Sequence, residues 1–163
     1  RVARSDTLLF LHADTLLPQG YLDAVQGTLN RSGTLLGAFT LRIDSPRSAL
    51  RLVEWGVVLR SRLLGLPYGD QALFLRRATF ESCGGFPPWP QMEDFDLVRR
   101  LGRLGAVRIS EHEVLTSARR WEKLGVWRTT FIHQQLIFEY TMARKPDQAQ
   151  DTTEHTSLYP RKV

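Results

Sequence analysis

The strongest constraint on the fold is a short apolar run near the start of the chain that ends abruptly on polar residues. Residues 8–11 are Leu-Leu-Phe-Leu, and His12, Ala13 and Asp14 follow directly. A continuous run of this length is typical of a strand buried on both faces, as in a parallel sheet. Ligands bind just beyond the carboxyl ends of such strands, so Asp14 is a candidate metal-binding or catalytic acid. A strand continuing through the triplet would project His12 and Asp14 to the same side, whereas an Asx turn would use Asp14 only to close a loop.

The composition is that of an ordinary folded domain. The 163 residues are 42% hydrophobic and 24% charged, which is enough for one domain with its own core. The net charge of +5 suits an anionic ligand, but zinc-finger spacing and RNA-binding aromatic motifs are absent from the sequence, so nucleic acid is not an expected partner. Cys83 is the only cysteine, which excludes an intrachain disulfide and suits a reducing compartment such as the cytoplasm. No apolar segment approaches the roughly 20 residues that a membrane span needs.

Apolar patterning and turn residues predict alternating strands and helices, and therefore an α/β fold. Strands are expected over residues 6–11, 35–43, 72–75, 107–109 and 114–118. Helices are expected over residues 20–29, 45–64, 77–83, 93–104 and 123–143. Residues 1–143 are therefore predicted to form the domain, and the polar residues 144–163 a flexible tail.

A second candidate site lies at the start of the helix predicted over residues 93–104. Glu93, Asp94 and Asp96 follow a rigid lead-in rich in proline. Free backbone N–H groups and the helix dipole favour acids in a first turn, so helix stability alone can account for them. The functional alternative is a general base, because a carboxylate held at a helix start can take a proton from a hydroxyl nucleophile.

Two further polar segments border predicted strands. Arg119, Arg120 and Trp121 stand where the last predicted strand gives way to a helix. Paired arginines there can bind a diphosphate and the indole can stack on a ring; the alternative is a surface arginine pair beside a core tryptophan. Asp70 and Gln71 precede the third predicted strand and are expected at a sheet edge near the cleft, unless they form an ordinary turn.

Taken together and in this order, these segments resemble the C-terminal two-thirds of a family 2 glycosyltransferase with the GT-A fold, a mixed central sheet flanked by helices. The shared features are an acid-ended triplet after an apolar strand, Gly-Gly-Phe before a Glu-Asp pair, and Arg-Arg-Trp. The resemblance extends over residues 5–143. The most similar subgroup is that of the radical-SAM/selenodomain-associated transferases, which share segments 12–15, 66–71, 92–94 and 116–121.

The resemblance implies an inverting transfer of a sugar from a nucleotide-sugar donor to the hydroxyl of an unidentified acceptor. Asp94, beside Glu93, matches the base that deprotonates the acceptor. Asp14 matches the last acid of the family's Asp-x-Asp triplet, which implies a divalent metal, Mn²⁺ or Mg²⁺, on the donor diphosphate. His12 replaces the first acid, and because these ions prefer oxygen ligands, it is expected to touch the donor rather than the metal.

The resemblance places the remaining candidates on either side of the reaction. Arg120 and Trp121 match the end of the family's Gln-x-x-Arg-Trp motif, which puts Arg120 on the donor diphosphate and Trp121 on the acceptor side. Asp70 and Gln71 are also assigned to the acceptor side. Ser117 stands where the motif has Gln, a departure that argues against processive synthesis.

The resemblance also implies a missing N-terminal part. The GT-A fold begins with two βα units that bind the nucleoside, so roughly 60 to 90 residues are expected upstream of this chain. Such a fragment would be weakly active or inactive alone. Its exposed sheet edge would favour self-association into a homo-oligomer.

Other classes remain as alternatives. One is a non-catalytic relic of the same fold. Another is a phosphatase-like hydrolase, which also places an acid triplet after an apolar strand, although its nucleophile position is His12 here. The last predicted helix suits either core packing or a peripheral contact with the inner face of a membrane, through Leu124, Trp127, Phe131, Phe138 and Met142.

Overall fold

The computed structural model describes residues 3–88 and 92–143. Its strands are β1 (Thr7–Leu9), β2 (Thr15–Leu16), β3 (Thr34–Asp44), β4 (Phe74–Arg76) and β5 (Ala106–Ser117). Its helices are α1 (Tyr21–Leu29), α2 (Ser48–Leu64), α3 (Arg77–Ser82), α4 (Glu93–Leu104), α5 (Arg119–Leu124) and α6 (Val126–Ala143), and a 3₁₀ turn covers Gly69–Gln71. The predicted α/β class is confirmed.

The five strands form one mixed sheet in the order β1-β4-β3-β5-β2. The β3–β5 pair is parallel, and the other three pairs are antiparallel. Strand β3 is the centre of the sheet, and its buried side chains alternate between the two faces: Leu36 and Ala38 point to one, and Phe39, Leu41 and Ile43 to the other. This alternation is what a strand covered on both sides requires.

Helices cover both faces of the sheet. One core cluster joins β3 to α1, α2 and Trp121 of α5, with Val25, Leu50 and Val57 among its buried side chains. The other joins β3 and β4 to α4 through Leu97, Val98 and Leu101. None of the helices within the described ranges is both long and apolar enough to cross a membrane.

The first strand differs from its prediction. β1 ends at Leu9, and in the part of the chain that the structure describes it pairs only with β4, antiparallel. Its residues are half-buried, with Leu8 packed on one core cluster and Leu9 on the other. The expectation of a fully buried strand of the parallel type is therefore wrong, because β1 is an antiparallel edge strand and is only half-buried.

Two other boundaries are also corrected. The strands predicted over residues 107–109 and 114–118 are one strand, β5, whose register against β3 shifts between Ala38 and Thr40. The helix predicted over residues 123–143 is two helices, because Gly125 adopts a left-handed φ of 84° between α5 and α6. The predicted tail, residues 144–163, lies outside the described residues.

Candidate functional site

Three segments distant in sequence meet beyond the end of β1: the loop carrying His12, the 3₁₀ turn and the start of α4. The backbone N–H of Gly69 donates a hydrogen bond to Asp94 Oδ2 over 2.6 Å. The N–H of Phe95 donates to Asp94 Oδ1 over 2.7 Å. Both carboxylate oxygens are therefore held by main-chain donors, which fixes the orientation of the carboxylate without a long, flexible partner.

Gly69 is the contact point of this arrangement. A Cβ on Gly69 would lie 2.8 Å from Asp94 Oδ2 and 2.8 Å from His12 Nε2. Real Cβ atoms do not approach polar atoms so closely, so the turn comes this near to both side chains only because residue 69 has none. His12 and Asp94, two predicted site residues 82 positions apart, are thus neighbours across Gly69.

A charged cluster stands behind the turn. The Arg60 guanidinium from α2 stacks on the Tyr68 ring, 3.4 Å from its centroid, and Arg60 Nε donates to the Leu66 carbonyl over 2.9 Å. Burial lowers the pKa of Arg60 and raises the pKa of Tyr68. Sequence reasoning missed Arg60, because nothing in the helix pattern marks it out from the other arginines of α2.

Asp70 joins the cluster from the turn. Its Oδ1 atom is sealed from solvent and has no hydrogen-bond partner among the described residues, although the residue as a whole is half-buried. Burial raises the pKa of Asp70, and the nearby charges of Arg60 and His12 oppose that rise. A carboxylate placed this way is costly in isolation, which makes the cluster a candidate for function rather than for stability.

Gln71 is inside the wall of the site and has no exposed surface. Its Nε2 donates to the Phe39 carbonyl of β3 over 2.9 Å, and its Oε1 accepts the N–H of Tyr68 over 3.3 Å. These bonds tie the turn to the central strand. The structure therefore places Gln71 as a support of the turn, away from any open acceptor surface.

The backbone is strained on both sides of the site. Ala72 and Met92 have φ angles of 48° and 66°, and they are the only non-glycine residues with positive φ in the described ranges. Ala72 directly follows Gln71, and Met92 directly precedes Glu93. Such conformations cost of order 1 kcal/mol or more and cluster at functional sites, where surrounding contacts enforce them.

A cavity of about 290 Å³ lies beside His12 and Asp94. His12, Gly69, Glu93 and Asp94 line its polar side. Phe10 and Phe86 form an apolar wall, with their ring centroids 4.7 Å apart. A cavity with one apolar wall and a few converging polar groups is typical of a site for a small molecule.

Asp14 lines a different cavity. The chain turns after β1, with the N–H of Thr15 donating to the His12 carbonyl over 3.1 Å. Asp14 instead borders a cavity of about 280 Å³ together with Asp44 and Arg119, whose Nη2 lies 3.7 Å from Asp14 Oδ2. The expectation that His12 and Asp14 project together depended on a strand through the triplet, and that strand ends three residues earlier.

The Arg-Arg-Trp segment divides between surface and core. Trp121 is buried in the cluster beneath α1 and α2, and its Nε1 finds no hydrogen-bond partner within the described ranges. Its ring therefore packs in the core, which is the alternative to stacking on a ligand that the sequence left open. Arg120 is exposed at the start of α5, and Arg119 is the arginine that approaches Asp14.

No family model, curated protein or solved structure matches this chain. Among the residues that the structure describes, no three His, Cys, Asp or Glu side chains come together to cage a cation. The two cavities, with Asp94 at one and Asp14 and Arg119 at the other, are thus the features from which a function is argued.

Proposed function

We propose that this chain carries the catalytic residues of an inverting glycosyltransferase with a GT-A fold, which moves a sugar from a nucleotide-sugar donor to an acceptor hydroxyl. The observation that carries the proposal is the pair of backbone hydrogen bonds to Asp94, from Gly69 and Phe95, at a cavity lined by His12. A carboxylate held in this way is suited to act as a general base. The mixed sheet flanked by helices is compatible with the proposed fold.

Asp94 would act on the acceptor. Each of its oxygens accepts one N–H and keeps a second lone pair, which is free to receive the hydroxyl proton. The acceptor oxygen then bonds to the anomeric carbon, and the bond from that carbon to the diphosphate oxygen breaks. The nucleoside diphosphate leaves with the electron pair, and the proton stays on Asp94.

The cavity at Asp14 would take the donor diphosphate. Arg119, with an exposed side chain 3.7 Å from Asp14, offers a planar cation that suits phosphate oxygens. Asp14 and Asp44 supply carboxylate oxygens at the same cavity. This donor set fits a Mg²⁺ or Mn²⁺ ion held by one or two carboxylates, water and phosphate oxygens. When bound, the ion would neutralise charge on the leaving diphosphate.

Donor binding without transfer is a second candidate. The observation that favours it is that Asp14 and Asp94 line separate cavities. A non-catalytic relic would need only the cavity with Arg119 to bind a nucleotide-sugar. A transferase would need both cavities, one for the donor and one for the acceptor.

The test is release of nucleoside diphosphate from a panel of uridine, guanosine and thymidine diphospho-sugars, with Mn²⁺ or Mg²⁺, in parallel with calorimetric binding of the free nucleoside diphosphates. The proposal predicts metal-dependent binding of one nucleotide and slow release of that same nucleotide from its sugar, with water or a sugar alcohol as the acceptor. Binding without release from any donor would support the relic. Absence of both would contradict the proposal.

A further inference from the structure

The outer face of α2 carries exposed apolar side chains from Leu52 to Leu63. Four of its exposed large side chains are Leu52, Trp55, Leu59 and Leu63, with exposed fractions of 62%, 65%, 43% and 72%. Spacings of three and four residues put these side chains on one face of the helix. A stripe of four large apolar groups in water is not needed for folding and marks a contact surface.

The opposite face of α2 is the one that packs on the sheet. Leu50, Glu54, Val57 and Ser61 are its buried residues. The apolar stripe therefore cannot turn inward without unpacking the core. It stays exposed unless another body covers it.

The charged side chains that α2 exposes to solvent are basic. Glu54 is the only acid of α2, and it is buried in an ion pair with Arg51 at 3.1 Å. Arg47, just before the helix, and Arg62 are both exposed. Arg62 lies three residues after Leu59, next to the stripe, so the apolar face has a basic border with no exposed acid of its own helix.

Helix α6 contacts α2 and also exposes large aromatic side chains. Trp127 and Phe131, one turn apart, are exposed by 71% and 68%, and Arg128 between them is exposed as well. Glu139 is the only acid in the sequence of α6. Tryptophan with leucine and arginine, and with few acids, is the composition of helices that lie in a membrane interface.

We infer that these side chains form a docking surface for an anionic phospholipid bilayer. The docking surface comprises the α2 stripe, Arg62, Trp127 and Phe131. Indole and leucine groups would enter the headgroup region while the arginines meet lipid phosphates. A second copy of the chain is a poorer occupant, because it would bring like charges together. Arg60 of the same helix stacks on Tyr68, next to the candidate site. Docking through α2 would therefore hold the candidate site close to the bilayer.

The inference is independent of the proposed function, and its test uses vesicles alone. The full chain is sedimented with phosphatidylcholine vesicles and with mixed phosphatidylcholine–phosphatidylglycerol vesicles at low and high salt. We expect binding to the anionic vesicles that weakens with salt, together with a blue shift of tryptophan emission. Arg62→Gln is expected to lower the affinity about fivefold, the value of one arginine at such a surface.

Two further variants separate docking from folding. Trp55→Ser combined with Leu59→Ser removes two exposed side chains and is expected to weaken binding by about tenfold or more. Leu22→Ser, at an equally exposed leucine of α1, is the control and should bind as the wild type does. Absence of binding to anionic vesicles, or an equal loss in the control, would overturn the inference. The inference would also be overturned if the chain did not bind vesicles and instead formed a dimer that Trp55→Ser disrupts.

Discussion

The backbone N–H of Gly69 lies 2.6 Å from Asp94 Oδ2, and this bond joins a turn and a helix start that are 25 residues apart. It gives the carboxylate a fixed orientation, and the absence of a side chain on Gly69 leaves room for both Asp94 and His12. The geometry of the candidate site therefore depends on one glycine as much as on its acids.

Substitution of Gly69 tests that dependence. In Gly69→Ala the new Cβ would meet Asp94 Oδ2 and His12 Nε2 at 2.8 Å, so one of them must move. We expect a loss of about 10²-fold in kcat, the size that a misplacement near 1 Å produces, with a smaller effect on the melting temperature. Steady-state kinetics and thermal unfolding measure both.

The matched control is Gly27→Ala in α1, where a Cβ would meet nothing within 4 Å. It should keep full activity and gain about 0.5–1 kcal/mol, since alanine is the better helix former. Equal kinetics for Gly69→Ala and the wild type would show that Asp94 does not need this contact.

The centre of the sheet gives a prediction about stability. A Cβ on Gly37 of β3 would lie 2.1 Å from the buried ring of Phe74, its partner on β4. We expect Gly37→Ala to lower the free energy of unfolding by about 3 kcal/mol, because an overpacked core must shift side chains or backbone. Denaturant titration measures the loss. The double variant with Phe74→Leu should recover part of it, and full stability of Gly37→Ala would contradict the observed packing.

The buried carboxyl of Asp70 predicts a pH dependence of stability. Burial raises its pKa in the folded protein, so the folded state keeps the proton to a higher pH than the unfolded state does. Its contribution to stability is therefore full below the unfolded pKa and is lost as pH rises through the folded pKa.

Asp70→Asn removes this titration. As pH rises above about 4, the usual pKa of an aspartate, the wild type should lose stability relative to the variant. The measurement is the free energy of unfolding by denaturant at several pH values. Asp23→Asn, at an exposed acid of α1, serves as the control and should follow the wild type. Parallel curves for Asp70→Asn and the wild type would show that burial does not perturb Asp70.

The cavity at Asp14 predicts which arginine binds the diphosphate. Arg119→Gln removes the cation 3.7 Å from Asp14 and should weaken nucleoside diphosphate binding by about tenfold, the value of a charge-assisted hydrogen bond. Calorimetry measures the affinity, with exposed Arg31→Gln as the control. A loss in Arg120→Gln with none in Arg119→Gln would instead favour the arginine matched by the sequence motif.

Local signals in the sequence were enough for most elements. The helices α1 and α4 were predicted to within a residue, because their apolar spacing and their flanking Gly or acidic residues are all local. The continuous strand β5 is instead predicted as two strands, because Ser110 and its polar neighbours are typical of a loop. The long parallel pairing with β3 keeps the strand whole, and Thr40 Oγ1 donates to the Ser110 carbonyl over 2.8 Å.

The candidate site, like the fold, was predicted only in part from local signals in the sequence. His12, Asp70, Glu93 and Asp94 stood out as polar residues beside predicted elements, and the structure brings them together. The separation of Asp14 from His12 depends on a turn of the chain that the residue types at positions 12–14 do not predict.

Two contacts of the site had no signal in the sequence. Arg60 reaches Tyr68 from a helix that gave no sign of function, and the hydrogen bond from Gly69 to Asp94 follows from tertiary packing alone. Contacts between segments this far apart are set by how the elements pack, which patterns of single residues do not encode.

The most direct test of the account is the kinetics of Asp94→Asn on the donor that the wild type turns over. Asparagine keeps the shape of the side chain and can accept one of the two backbone N–H bonds through its carbonyl oxygen, but it cannot take the acceptor proton. We predict a fall in kcat of about 10²–10⁴-fold with donor affinity unchanged. Asp23→Asn should match the wild type. Full turnover by Asp94→Asn would contradict the assignment of Asp94 as the base.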